Sequence, residues 1–307
     1  MKSAPLPFSL RQLQYALAVR RTRSFRRAAL ECGVSQPSLS AQLAELEAGL
    51  GIQLFERNRK RVMETVPGSV LLGRAEQVLL KAQDLVDSAH ENLDPLARQL
   101  RLGVIPTVGP YLLADLDPAL RHAFPRLDLR WTEDKTEVLV ARVQRGELDG
   151  ALLALEANLE DLQHSFVGKD PFVLAISPEH PLASGKRSVA LEELHNERML
   201  LLDDGHCFRD QALAFCTQAG TRELGFRATS LATLAQMTAG GAALTLLPKI
   251  SLNVENRRGT LVIRQLREPV PARTIVLAWR KGSSLHLALT RVASEMRRTF
   301  ADLPELA

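Results

Sequence analysis

The chain has 307 residues, 46% apolar and 24% charged, a composition that suits about two folded domains; three cysteines are too few for a disulfide-built scaffold. No apolar run approaches the length of a membrane span and the opening MKSAPLPFSL lacks an apolar leader, so a cytoplasmic protein is expected. Charge is unevenly placed: residues 1–66 hold eleven Lys and Arg against five acids, although the whole chain is only +4, so the head is the part suited to a polyanion.

Leu10, Leu13 and Leu17 share a helical face and predict a helix over residues 9–20. Ser24 suits the N-cap of a second helix, which carries Phe25, Ala28, Ala29 and Cys32 and ends near Gly33. Ser35 caps a third, with Pro37 in its first turn; Leu39, Leu43, Leu46 and Leu50 line one face, and Gly49 and Gly51 end it. The short connection between the second and third helices is the spacing of a helix-turn-helix. On that reading Ser35, Gln36, Pro37, Ser38, Ser40 and Gln42 present short polar groups to a DNA major groove. Arg26 and Arg27 add charge nearby. In LFERNRKRVMETVPG, apolar and charged residues alternate around Arg57, Arg59, Lys60 and Arg61, a basic hairpin suited to phosphate.

Residues 67–96 give a long helical pattern. Its stripe of Ala75, Val78, Leu79, Ala82, Leu85, Val86, Ala89 and Leu93 fits a dimer seam, with packing on the chain's own body as the alternative. The run SFRRAALECGVSQPSLSAQLAELEAGLGIQLFERNRKRV resembles the DNA-binding domain of LysR-type transcriptional regulators. That resemblance implies a winged helix-turn-helix over 1–66, a linker and dimerisation helix over 67–96, promoter DNA as partner, and contact with RNA polymerase.

Beyond residue 100, strand and helix patterns alternate: strand 100–105, a Pro/Gly-broken loop at PTVGPYL, helix 112–123, strand 127–132, helix 136–145 and strand 149–155. A second set starts with strand 172–177 and includes a strand end at 245–248, a strand at 274–279 and a closing helix at 284–299. Such alternation predicts a parallel sheet with crossover helices. Two α/β lobes resemble the periplasmic-binding-protein fold that LysR-type regulators use as effector domains. The expected body is 97–307, with lobe one at about 97–168 and 270–307 and lobe two at about 169–269. No phosphate loop or zinc motif is present, and the seven histidines are scattered, so no metal and no cofactor are expected.

The stretch DDGHCFRDQALAFC holds Cys207 and Cys216. If residues 207–216 form one helix, the thiols lie about 13 Å apart on opposite faces. A disulfide needs Cα atoms within about 7 Å, so pairing requires the segment to be remodelled. Cys207 lies at a helix start beside His206 and near Arg209, which favours reaction there, while Asp203 and Asp204 oppose it; Cys216 follows ALAF and reads as buried and resolving. From spacing alone, two structural thiols remain the plainer reading.

That stretch, together with IPTVGPYL and RATSL, is similar to the OxyR-type peroxide sensors of the LysR family over nearly the whole chain. The resemblance implies a peroxide-reactive Cys207 that joins Cys216, and a changed assembly on DNA, as a dimer or a tetramer of two dimers. It also implies a peroxide pocket of Thr107, Thr136, His206 and Arg273, with Asp210 assisting the second step. Cys32 reads as core. One departure is Ala243 in GGAALTLLP, where the group usually has glycine. Two other readings remain: a regulator binding a small organic effector between its lobes, and a thiol peroxidase, which leaves the basic wing unexplained.

Overall fold

The computed structural model describes residues 6–58, 61–90, 96–185, 188–205 and 207–303, with backbone alone at 57, 58, 61 and 87–90. Residues 1–90 and 91–307 form two compact units.

In the first unit, α1 (Leu10–Thr22) opens with a capping box in which Ser9 and Gln12 satisfy each other's main-chain N–H. Its buried face is Leu13, Tyr15, Ala16, Ala18 and Val19; Leu10, expected on that face, is 47% exposed because it is the first residue and projects past the core. Helix α2 (Phe25–Glu31) is capped by Ser24, and α3 (Gln36–Leu50) by Ser35, whose Oγ accepts from Ser38 N at 3.3 Å. Leu39, Leu43 and Leu46 bury one face of α3, and Gly51 ends it with φ +68°. Strands β1 (Phe55–Asn58) and β2 (Arg61–Glu64) pair antiparallel. Arg59 and Lys60 lie outside the described residues.

Helix α4 (Val66–His90) divides the expected stripe. Leu72 and Ala75 are buried in the head's core and Leu79 packs against it, so the first half of the helix is held by its own unit. Val78, Leu85 and Val86 are exposed, Leu85 at 74%. Leu93, also expected in the stripe, lies outside the described residues.

The second unit runs β3 (Gln99–Val104), α5 (Gly109–Ala123), β4 (Asp128–Glu133), α6 (Thr136–Gln144), β5 (Gly150–Ala154), β6 (Leu162–Ile176) and β7 (Arg198–Leu202). It continues with α7 (Cys207–Ala219), β8 (Arg222–Ala228), α8 (Leu231–Ala239), β9 (Leu244–Pro248), α9 (Leu252–Glu255), β10 (Val262–Arg264), β11 (Ala272–Arg280) and α10 (His286–Ala301). The strand order is β4-β3-β5-β11-β6-β9-β7-β8, with β10 also on β6.

Three expectations need correction. The sheet is mixed: β3, β4 and β5 are mutually parallel, as are β7, β8 and β9, but β11 and β6 run antiparallel to their neighbours. These two strands carry the chain across and back between the lobes. Strand β6 accordingly begins at Leu162, not 172; its first part pairs with β11 and its last part, Phe172–Ala175, with β9. Gly168, Asp170 and Pro171 hid that continuity. Likewise the PTVGPYL segment is helix from Gly109, because Pro110 fits a first turn. Leu102, Leu152, Ile275 and Leu289 lie in one core cluster, and Leu174, Leu200, Leu231 and Leu246 in the other. Among the described residues no helix is long and apolar enough to cross a membrane.

Candidate functional site

The site is built where the β6–β11 pair meets the two cores. Asp170 and Arg273 face each other in the register of that pair and are both fully buried. Arg273 Nε donates to Asp170 Oδ2 at 2.9 Å; Nη1 donates to Thr107 Oγ1 at 2.7 Å and Nη2 to the Thr107 carbonyl at 2.8 Å. The far carboxylate oxygen of Asp170 accepts from Ile250 N at 3.2 Å. Burial pushes the Asp170 carboxyl up, against the pull of Arg273 and of the Ile250 and Lys249 amides. Sequence reading anticipates Arg273 and Thr107 and misses Asp170. An acid beside proline inside an otherwise apolar strand was the available signal, since a buried carboxylate needs a partner.

Helix α7 brings the thiols. Phe208, Ala212, Phe215, Cys216 and Ala219 form its buried face, spaced as an amphipathic helix requires. Cys207, at the first helical position, is partly buried and packs against the lobe-one cluster; Cys216 is buried in the lobe-two cluster. All three cysteines are free thiols. With α7 intact, nine residues at about 1.5 Å rise keep Cys207 and Cys216 about 13 Å apart on opposite faces. Burial pushes the Cys216 thiol up; Glu223 adds to this, while the bond to Thr221 and the charge of Arg209 oppose it. Cys32 follows α2 and packs on the head's core, and burial raises its thiol too.

Phe208 joins the thiol helix to the arginine. Its ring meets Phe172 edge-on with centroids 4.9 Å apart, and the Arg273 guanidinium carbon lies 5.7 Å from its centroid. Thr136 opens α6 and is buried, and its Oγ1 has no hydrogen-bond partner among the described residues. Asp210 stands exposed in the first turn of α7, so it does not join the buried cluster. His206 lies outside the described residues.

A charge network, unforeseen from sequence, holds the segment ahead of Cys207. Asp204 Oδ1 accepts from Arg209 Nε at 2.9 Å and its Oδ2 from Arg227 Nη1 at 2.6 Å. Arg209 is buried, donates to the Leu202 carbonyl at 2.9 Å and pairs with Glu223 at 3.0 Å. Elsewhere between the lobes, Tyr111 Oη donates to Glu255 Oε1 at 2.6 Å, and burial with that carboxylate drives the phenol far above its ordinary range.

In the head, Gln36, Pro37 and Ser38 are exposed at the start of α3, with Arg26 and Arg27 exposed on α2. Ser35 uses its hydroxyl as a cap, Gln42 donates to Glu45 at 2.9 Å, and Arg27 holds the Thr22 carbonyl. Ser40 is partly buried. Arg57 and Arg61 belong to the hairpin backbone. No cluster of metal-ligating side chains occurs among the described residues.

A helix-turn-helix head with a β-hairpin, joined to a two-lobed α/β body, defines a DNA-binding transcriptional regulator with a sensing domain. The chain belongs to the LysR family: the bacterial regulatory helix-turn-helix protein, lysR family, matches residues 10–69, and the LysR substrate binding domain matches residues 94–301. It is 41% identical over 290 residues to the hydrogen peroxide-inducible genes activator of Dickeya chrysanthemi, covering 94% of this chain and 95% of that one. It is 40% identical over 290 residues to the DNA-binding transcriptional dual regulator OxyR of Escherichia coli K12, with the same coverage. A full-length cysteine-to-aspartate variant of Pseudomonas aeruginosa OxyR superposes with a TM-score of 0.78 at 33% identity, over 94% of this chain and 95% of that one. A peroxide-bound cysteine-to-serine variant of Corynebacterium glutamicum OxyR gives 0.66 at 30% identity, over 98% and 94%.

Proposed function

We propose that this regulator senses hydrogen peroxide through a reversible Cys207–Cys216 thiol–disulfide switch and controls oxidative-stress genes from the cytoplasm. The observation that carries the reading is the placement of two free thiols at positions that an intact α7 holds apart, the first followed directly by Phe208, whose ring lies 5.7 Å from the guanidinium carbon of the buried Arg273. In the first step the Cys207 thiolate attacks one peroxide oxygen. The O–O bond breaks, Cys207 becomes a sulfenic acid, and the departing hydroxide takes a proton to leave as water. In the second, the Cys216 sulfur displaces the sulfenic hydroxyl, and its own proton completes a second water.

Arginine has five N–H groups; three are engaged by Asp170 and Thr107, which leaves one on each terminal nitrogen to face peroxide. Thr107 Oγ1 accepts from Arg273, so its O–H is free to donate, and the unpartnered Thr136 hydroxyl can do either. These groups stabilise the charge on the leaving hydroxide. His206, the neighbour of the thiol in sequence, is assigned to the first step with them, and Asp210 to the second step from the exposed side of the helix.

Residues 1–66 are assigned as the DNA-binding domain, 67–96 as linker and dimerisation helix, and 97–307 as the sensing domain. Gln36, Pro37, Ser38, Ser40 and Gln42 meet base edges, and Arg26, Arg27, Arg57, Arg59, Lys60 and Arg61 meet phosphate; Ser35 positions the helix. The exposed Val78, Leu85 and Val86 supply the seam for a dimer, two of which form a tetramer that engages RNA polymerase. The test is mass mapping of the disulfide after brief peroxide exposure, with promoter footprints of both forms. A Cys207–Cys216 bond and a changed footprint are expected. A Cys207→Ser variant that still regulates in response to peroxide would overturn the proposal.

A further inference from the structure

A lysine reaches the segment between β7 and α7 from across the lobe boundary. Lys135, the residue just before α6 in lobe one, donates from Nζ to the main-chain carbonyl of Asp204 at 2.8 Å. Its aliphatic stem lies against Gly205: a Cβ there would sit 3.0 Å from Lys135 Cδ and 3.2 Å from Nζ, and Gly205 has φ +85°. The backbone angle calls for glycine, and the bare Cα lets the lysine stem lie close. The carboxylate of the same Asp204 is taken by Arg209 and Arg227, both of lobe two. Asp204 is therefore tied to its own lobe through its side chain and to the other lobe through its main chain.

Remodelling α7 must move this segment, because Cys207 stands three residues after Asp204 and cannot approach Cys216 while the helix start is fixed. The side-chain bonds to Arg209 and Arg227 can travel with lobe two. The bond from Lys135 cannot.

We infer that Lys135 is a positioning residue that clasps the Asp204–Gly205 segment to lobe one and sets the rate of disulfide closure rather than of peroxide attack. The inference rests on the switch proposed above. Thr107 and Arg273 are held by each other and by Asp170, and the Thr136 hydroxyl has no hydrogen-bond partner among the described residues, so none of these groups depends on the lysine amine. Breaking the clasp therefore leaves the first step alone and eases the second. Any cation long enough to reach the same carbonyl restores it.

The test is stopped-flow kinetics on the full-length protein. The peroxide-dependent phase is followed in a Cys216→Ser background and the closure phase in the otherwise native chain, for the wild type, Lys135→Gln and Lys135→Arg. Closure about five-fold faster is expected in Lys135→Gln, as befits one charged hydrogen bond at a partly exposed site. The peroxide phase should stay within two-fold, and Lys135→Arg should close at the wild-type rate. Amide exchange at 205–208 of the reduced protein should quicken in Lys135→Gln alone, which reports the clasp even if closure is too fast to time. Closure unchanged or slowed in Lys135→Gln, or a peroxide phase altered more than closure, overturns the inference. Absence of any Cys207–Cys216 bond in the wild type instead overturns the switch itself.

Discussion

Gln211 lies on α7 between the two sensing thiols, and its side-chain Nε2 and Oε1 are both closed off from solvent with no hydrogen-bond partner among the described residues. It lines a groove of about 370 Å³ whose walls include Phe172, Leu191, Phe215, Leu266 and Pro269. A buried polar group left unpaired costs about 1–3 kcal/mol, and the lower figure applies where a groove can admit water, so the pair of atoms sums to about 2 kcal/mol. Leucine has nearly the volume and helix propensity of glutamine, so Gln211→Leu removes the penalty without a cavity or a propensity change. The folded helix, and with it the reduced state, gains about 2 kcal/mol, while the remodelled segment gains nothing because there the amide reaches water. For a two-electron couple this shifts the midpoint by about 40 mV to less negative potential, so the disulfide is more readily reduced. If the closure transition state has already unwound α7, closure also slows, by up to about thirty-fold. Redox titration against glutathione measures the first effect and stopped-flow the second. Gln218→Leu, at an exposed position of the same groove, serves as the control and should change neither. A Gln211→Leu potential equal to or more negative than the wild type would refute the reasoning.

Thr136→Val should not lower thermal stability, since Oγ1 makes no bond in the fold, yet should slow the peroxide phase about ten-fold or more; a destabilised variant of full reactivity would show the hydroxyl to be structural. For Cys216, burial holds the folded thiol above its ordinary value, so the folded helix keeps its full stability below the ordinary thiol value and loses it as pH rises from there to the raised one. Reduced wild-type protein should therefore lose more melting temperature between pH 8 and about pH 10 than Cys216→Ala does, and parallel curves would contradict this. Leu85→Asp, at a position 74% exposed in the single chain, should convert dimers to monomers in sedimentation and weaken promoter binding, with the fold unaffected.

Where the sequence pattern is local, it was readable. Ser24 and Ser35 cap the helices they mark, Gly51 ends α3, and Leu39, Leu43 and Leu46 are buried as their spacing requires, with Leu50 half-buried at the helix end. The thiol helix begins at Cys207, as its preceding DDGH suggests. What periodicity could not disclose is what depends on residues distant in sequence. The antiparallel β6–β11 pair joins segments about a hundred residues apart, and Asp170 finds Arg273 only through that register. Leu10 and Leu79 carry the same apolar signal, yet one projects from a helix start and the other packs on the head, because burial depends on which neighbours arrive. Asp210 and Arg273 both read as pocket residues; the fold buries one and exposes the other.

The placement of the two thiols also indicates that both ends of α7 must give way. Cys216 sits among Phe215, Ala219 and Leu200 in the lobe-two core, whereas Cys207 touches lobe one only at its surface and is partly exposed. Bringing Cys207 to a fixed Cys216 would pull Phe208 out from between Phe172 and Arg273, exposing a buried aromatic at about 1.5–3 kcal/mol and uncovering the arginine. Bringing Cys216 out as well shortens that path: it unwinds the C-terminal part of α7, exposes Phe215 and Ala219, and frees a thiol whose burial disfavours its reactive form. Closure draws on both movements: release of the helix start from the Lys135 contact gives Cys207 its reach, and opening of the C-terminal part uncovers the attacking sulfur. The chain therefore keeps its resolving cysteine unreactive until the sensing cysteine is oxidised and the helix opens, an order of events that favours a disulfide over random thiol oxidation.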